Sequence, residues 1–293
     1  MTSAPTAPIA AAVPPALPAA RRAPSLWTAA VLIFDLSLAR MLWSRGTVFM
    51  GLLVGLPVVL AVLVRGVQAI GGPDMRVDGQ VITGPTIFGF MVWWLYLRFI
   101  VPVLALYYGT ALVADEVEDK TITYLFTRPI RRGAVLLGKF LAYFVCTVMV
   151  VLPSLMIVYF LMGLSGATLA GTFPSLLKDL GLVILGLLAY GGLFAWVGAQ
   201  FKRPLVIGLV FVFGFEQLAL IIPGYIRYLT VSFYLQSIVP HAVMGEGVLS
   251  LLQSLVQQKA SLAVALTMLI GIGVAFVFLA MRVIARREYV LEQ

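Results

Sequence analysis

Residues 114–139 read ADEVEDKTITYLFTRPIRRGAVLLGK, a polar stretch between two long apolar ones. Nine of the chain's charged residues fall in it. It begins with the acidic cluster Asp115-Glu116-Val117-Glu118-Asp119 and continues through Lys120–Phe126, apolar on one side. Arg128-Pro129 breaks the helix there, because proline lacks the N–H and clashes with the preceding turn. A second helix is expected from near Ile130 through Leu136, Leu137, Gly138 and Lys139. The pattern therefore predicts helix, corner, helix, with acids before the corner and bases after it. Such a shape offers a rigid knob to a soluble partner. Charges that merely flank membrane helices would explain Arg131, Arg132 and Lys139, but a passive connection could be much shorter than these 26 residues.

The composition around this island is that of a membrane protein. Of 293 residues, 62% are hydrophobic and 11% charged, against about 25% charged in soluble domains. Mean hydropathy is +1.06. The net charge of +8 does not indicate nucleic acid, because the basic residues stand at the ends of apolar runs rather than on one face. The one cysteine, Cys146, lies inside an apolar run, so no disulfide framework or thiolate cluster is expected. The one histidine, His241, cannot build a histidine metal site.

Outward from the island, the chain divides as follows. Residues 1–24 form an Ala/Pro-rich tail, expected to be disordered; 25–293 are expected to form a single transmembrane domain. Asp35 and Arg40 interrupt the apolar stretch after Arg21-Arg22, which argues against a secretion signal. Residues 26–45 predict an amphipathic helix in the membrane surface, with Trp27 and Trp43 as interfacial anchors; the alternative is a frayed extension of the first span. Spans are expected near 47–69, 88–113, 140–162, 180–200, 205–222 and 260–281, each close to the roughly 20 residues that cross a bilayer core. The first carries Gly51 and Gly55 at GxxxG spacing, candidates for close helix packing; Pro57 is a candidate kink and Arg65 can snorkel. Residues 71–86 read as a turn-rich loop, and a short loop with Pro174, Lys178 and Asp179 precedes span 4. Segment 223–258 is too apolar for a plain loop and too broken for a span. It predicts either a re-entrant or surface helix near 242–257 or an ordinary folded loop.

Charge sets the orientation. With the N-terminus inside, fourteen basic residues lie on the inner side: Arg21, Arg22, Arg40, Arg45, Lys120, Arg128, Arg131, Arg132, Lys139, Lys202, Arg203, Arg282, Arg286 and Arg287. Arg76, Lys178, Arg227 and Lys259 lie outside. This asymmetry predicts six spans, both termini cytoplasmic and a cytoplasmic 114–139.

Ionisable residues within spans are costly and often functional; besides Arg65 near the end of the first span, Arg98 lies in span 2 and Glu216 in span 5. The latter two are candidates for a substrate path, or for a structural pair in which Arg98 snorkels with Tyr96 as an interfacial anchor. Trp93, Trp94, Tyr96, Tyr107 and Tyr108 make span 2 aromatic, which suits apolar cargo but also an aromatic belt. Residues 133–139 (GAVLLGK) fit the GxxxxGK of a phosphate loop, but Phe140 stands where the magnesium-binding Ser/Thr belongs and a membrane span follows. No HExxH or GxSxG is present, so no hydrolase site is expected and no metal site is assigned.

The island resembles the membrane-spanning permease subunits of type-2 ABC transporters. Gly109-Thr110, the cluster Asp115–Asp119, Thr121, Leu125, Arg128-Pro129, Arg131-Arg132 and Leu137-Gly138-Lys139 carry the likeness. The surface helix, six spans and longer last outer segment extend it to nearly the whole chain. The resemblance implies an all-α integral membrane fold with an N-terminal elbow helix, and a cytoplasmic coupling helix between spans 2 and 3. It implies a dimer with a second permease copy or paralogue, and a separate ATPase subunit that binds ATP and Mg. Glu116, Glu118, Thr121, Arg128 and Arg131 become the candidate coupling residues. No cofactor is implied for this chain itself. The implied activity is ATP-driven export in a bacterial-type plasma membrane. The competing readings are an ion-coupled secondary transporter using Arg98 and Glu216, or a membrane scaffold or assembly factor.

Overall fold

The computed structural model describes residues 26–42, 45–71, 75–77, 80–82, 84–118, 132–163, 169–221, 225–239 and 260–286. The chain runs α1 (Leu26–Leu42), α2 (Arg45–Gly71), the strands β1 (Met75–Val77) and β2 (Gln80–Ile82), then α3 (Gly84–Phe90). A π-helical stretch, Met91–Ile100, leads into α4 (Val101–Glu118). Beyond the island come α5 (Arg132–Gly163) and α6 (Leu169–Gln200). Next are α7 (Pro204–Val210), a second π-helical stretch (Phe211–Phe215) and α8 (Glu216–Ile221). A 3-10 turn (Tyr225–Leu229), α9 (Val231–Ile238) and α10 (Leu262–Arg286) complete it.

Among the described residues, five helical stretches are long and apolar enough to cross a membrane: Gly46–Ile70, Gly84–Leu112, Gly133–Gly163, Gly171–Gln200 and Leu262–Arg286. Pro204–Leu220 is apolar but shorter. The fold is thus a helical membrane bundle, with one small departure. The expected turn-rich connection holds an antiparallel hairpin, Met75 opposite Ile82 and Val77 opposite Gln80. The intervening Asp78-Gly79 is the dipeptide favoured in two-residue hairpin loops.

α6 is the axis of the bundle, with α4 along one side and α10 along another. Its span is 67% buried, against 28% for the α2 span and 22% for α10. The buried stripe Leu176, Asp179, Val183, Leu187 and Tyr190 repeats at helical spacing. That stripe explains one correction. Pro174, Lys178 and Asp179 are not in a loop before span 4 but within α6, because the apolar period extends back through them. α2 shows the opposite balance. Met50, Leu53, Val54 and Ala61 face the bundle, whereas Val48, Leu52, Val59 and Leu63 form an exposed apolar stripe suited to acyl chains.

Where α6 meets its neighbours, glycine sets the distance. A Cβ on Gly192 would collide with the carbonyl oxygen of Gly273 in α10. One on Gly198 would lie 2.7 Å from the Thr110 carbonyl oxygen in α4. The backbones therefore meet almost directly, the packing that membrane helices use in place of a hydrophobic driving force.

Candidate functional site

Two regions bear on function: the helix ends around the island, and a polar cluster within the bundle. At the island, α4 stays helical to Glu118, so Glu116 and Glu118 lie in its last turn. α5 starts at Arg132. A helix C-terminus carries partial negative charge and an N-terminus partial positive charge. By position, Glu116 and Glu118 at the end of α4 and Arg132 at the start of α5 are therefore set against their own helix dipoles. Thr121, Arg128 and Arg131 lie outside the described residues.

The start of α5 is held on two sides. On one side is α1, which packs along α5. Gly138 permits this, since a Cβ there would stand 2.5 Å from the Ala30 carbonyl oxygen and 2.9 Å from Ile33 Cβ. On the other side Met281 of α10 faces Gly133, with its side chain 3.7 Å from where a Cβ would be. At the corner between α1 and α2, the Thr47 hydroxyl donates to the Met41 carbonyl, one of the carbonyls left open at a helix end. α1 exposes Trp27, Val31, Leu32 and Leu36 on its far side. The GxxxxGK look-alike, residues 133–139, is continuous helix within α5 and not a phosphate-cradling loop.

The second region begins with a proline. Pro102 would press its ring on the Arg98 carbonyl in a regular α-helix. The ladder instead widens over Met91–Ile100, where Val101 N–H bonds to the Tyr96 carbonyl, five residues back. The Phe211–Phe215 stretch does the same, with Glu216 N–H bonded to Phe211. π-helical bulges of this kind are frequent at functional sites. The two stretches touch through Phe99 and Phe213, with ring centroids 6.1 Å apart.

Glu216 is 1% exposed. Its Oε2 accepts from the Tyr190 hydroxyl at 2.5 Å and the Ser232 hydroxyl at 3.3 Å. Its Oε1 accepts from the backbone N–H of Val231 at 3.1 Å and Ser232 at 3.5 Å. Every partner can donate, which fits an acceptor-only carboxylate. Two of them are first-turn N–H groups of α9, so Glu216 fastens that helix to α8 and, through Tyr190, to α6. Thr230 caps the same turn, its hydroxyl accepting from Phe233 N–H at 3.4 Å.

Arg98 does not take Glu216 as its hydrogen-bond partner. It donates to the Oε1 of Gln217, one residue on, and lies 4.7 Å from the Trp94 ring centroid. Glu216 and Tyr190 remain within its electrostatic reach. The structure thus brings the neighbourhoods of the two intramembrane charges together, with a neutral amide as the direct contact.

Tyr96, expected as an interfacial anchor, is 0% exposed. Its hydroxyl lies 2.7 Å from Ser154 Oγ, which donates to the Val54 carbonyl at 2.8 Å. This chain of bonds ties α2, the first π-helical stretch and α5 together. The aromatic residues of span 2 divide likewise: Trp93 and Tyr108 are buried, whereas Trp94 and Tyr107 are exposed. Gly51 and Gly55 do not serve packing within the chain, since nothing lies within 4 Å of a Cβ at either. Sequence reasoning missed Ser154, Tyr190, Gln217 and Ser232, whose polar groups gain meaning only from neighbours far along the chain. The signal that was present is Thr230 before an apolar run, an N-cap pattern. The helix expected near 242–257 lies outside the described residues.

Among curated proteins no match to the chain is found. A family model described as ABC-2 family transporter protein matches residues 20–287, from ahead of α1 to the end of α10. The chain belongs to the ABC-2 transporter family, as a membrane-spanning permease.

Proposed function

We propose that this permease forms the translocation path of an ATP-driven exporter and is driven through 114–139 by a separate ATPase subunit. The observation that carries the reading is the family match over 20–287, which takes in α1, the island and all the apolar helices. ATP and Mg bind the partner, a second permease copy or paralogue completes the path, and α1 acts as the elbow. The mismatched charges at the ends of α4 and α5 support a docking role, because a partner of complementary charge would relieve both.

The crossing count belongs to the same reading. Pro204–Leu220 spans roughly 26 Å at 1.5 Å per residue, slightly short of a core about 30 Å thick. Counting it as the sixth span returns Arg282, Arg286 and Arg287 to the side of Arg40 and Arg45, as the positive-inside rule favours. Five crossings would put those clusters on opposite sides. Both termini are then cytoplasmic, in a bacterial-type plasma membrane.

The test is capture in mild detergent from native membranes, comparing wild type with the Glu118→Arg/Arg131→Glu double variant. Size-exclusion profiles confirm that both are folded. Wild type is expected to retain an ATP-binding subunit and the double variant to lose most of it. If crosslinked wild type also brings down no ATPase, the ATP-driven reading falls and an ion-coupled transporter built on Arg98 and Glu216 takes its place.

A further inference from the structure

Arg98 is the middle residue of the 29-residue span Gly84–Leu112. On the partner helix Gln217 lies 13 residues after Pro204 and three before Leu220, roughly 20 Å along the helix axis from Pro204. A guanidinium within a membrane span is costly to hold and normally finds an anion or a hydrogen-bonding partner. Here Glu216 lies within electrostatic reach but makes no hydrogen bond to Arg98, its oxygens accepting from Tyr190, Ser232 and the first turn of α9. Arg98 is left with the neutral Gln217 and the face of Trp94. A guanidinium has five N–H donors in a planar fork, and a single hydrogen bond engages one of them.

The surroundings are open and aromatic. Phe90 and Trp94 pair at 6.1 Å, and Phe99 meets Phe213 across the two helices. Trp94 is 46% exposed and Phe213 43%. The patch is therefore a half-open cation within an apolar aromatic rim, where two π-helical stretches meet. A second copy of this chain apposed symmetrically on the patch would bring Arg98 against Arg98, a like-charge contact. Neutral acyl chains would cover the rim and leave the fork unanswered. An anionic headgroup on an apolar tail satisfies both, since a carboxylate or phosphate matches the fork and the tail lies on the rings.

We propose that Arg98, with Gln217 and the Trp94–Phe90 and Phe99–Phe213 faces, is a lateral binding site for an anionic amphiphile. The inference rests on the permease reading for its role, and there it supplies the class of cargo.

The test uses the full chain in nanodiscs of neutral phosphatidylcholine, at alkaline pH. The probes are a brominated long-chain fatty acid and the matching brominated alcohol, because bromine quenches tryptophan fluorescence on contact. The acid is expected to quench at roughly ten- to hundred-fold lower concentration than the alcohol, the span of one charge-assisted contact. Trp94→Phe should remove most of that saturable quenching. Arg98→Gln should bring the acid to the level of the alcohol, and Arg98→Lys should keep part of the difference, since a point charge lacks the fork. Equal quenching by acid and alcohol in wild type overturns the proposal. Absence of quenching by either does so too, with a second copy covering the face. Should Arg98→Gln fail to fold, the wild-type comparison still decides. No ATPase is present in the assay, so failure here and failure of the capture experiment are separate results.

Discussion

Gly138→Ala probes whether α1 and the start of α5 form one mechanical unit behind the island. The added Cβ would lie 2.5 Å from the Ala30 carbonyl oxygen. A comfortable carbon–oxygen approach is about 3.3 Å, so α1 must retreat by roughly 0.8 Å or α5 must bend. The obstructing atom is backbone held in a helix and cannot rotate aside. Overpacking of this kind costs roughly 1–3 kcal/mol, while alanine gains about 1 kcal/mol over glycine in any helix interior. The informative quantity is therefore a difference. Gly51→Ala and Gly271→Ala receive the same propensity gain, yet nothing lies within 4 Å of either position. Thermal unfolding in detergent, at one scan rate, should place Gly138→Ala below both controls by the equivalent of about 1–3 kcal/mol. In the assembled transporter, the same variant should also move less cargo per ATP hydrolysed than the controls. If all three variants shift together in the melt, the α1–α5 contact is not where the glycine matters, and the elbow argument loses its structural basis.

Two further predictions concern the anchoring of α9 and the crossing by Pro204–Leu220. Glu216→Ala strips the acceptor from the amides of Val231 and Ser232 and from the Tyr190 hydroxyl, at about 1–3 kcal/mol for each donor left bare. Amide exchange at Val231 and Ser232 should accelerate at least tenfold, with Glu216→Gln intermediate; unchanged exchange in the alanine variant would remove Glu216 as the anchor of α9. The native Cys146 is buried, so cysteine labelling starts from a silent background. With an impermeant maleimide on intact cells, Tyr225→Cys, at a site 88% exposed, should label, and Lys202→Cys should label only after permeabilisation. Labelling of both from one side would mean that Pro204–Leu220 does not cross.

Much of the architecture was legible because a bilayer imposes simple rules. Apolar length announces a membrane helix. The helix expected to run into the third span was readable, and α5 starts at Arg132; the corner expected at Arg128-Pro129 lies outside the described residues. What the sequence did not show was whatever depended on a neighbour. The close crossings within the chain fall at Gly138, Gly192 and Gly198, where no local pattern distinguishes them. Asp179 reads as a loop residue by its charge but lies at 0% exposure on the inner stripe of α6.

The sequence by itself determined that this is a helical membrane protein and which segments are apolar enough to cross. Those properties are sums over local composition, and the membrane reads them one segment at a time. The tertiary structure alone decided that Arg98 meets Gln217 rather than Glu216, that Glu216 fastens α9, and that Tyr96 reaches Ser154 58 residues away. The reason is that a polar group buried in a bundle must find its partner wherever the helices cross. Crossing points depend on which glycines let two backbones approach, and that depends on the whole packing at once.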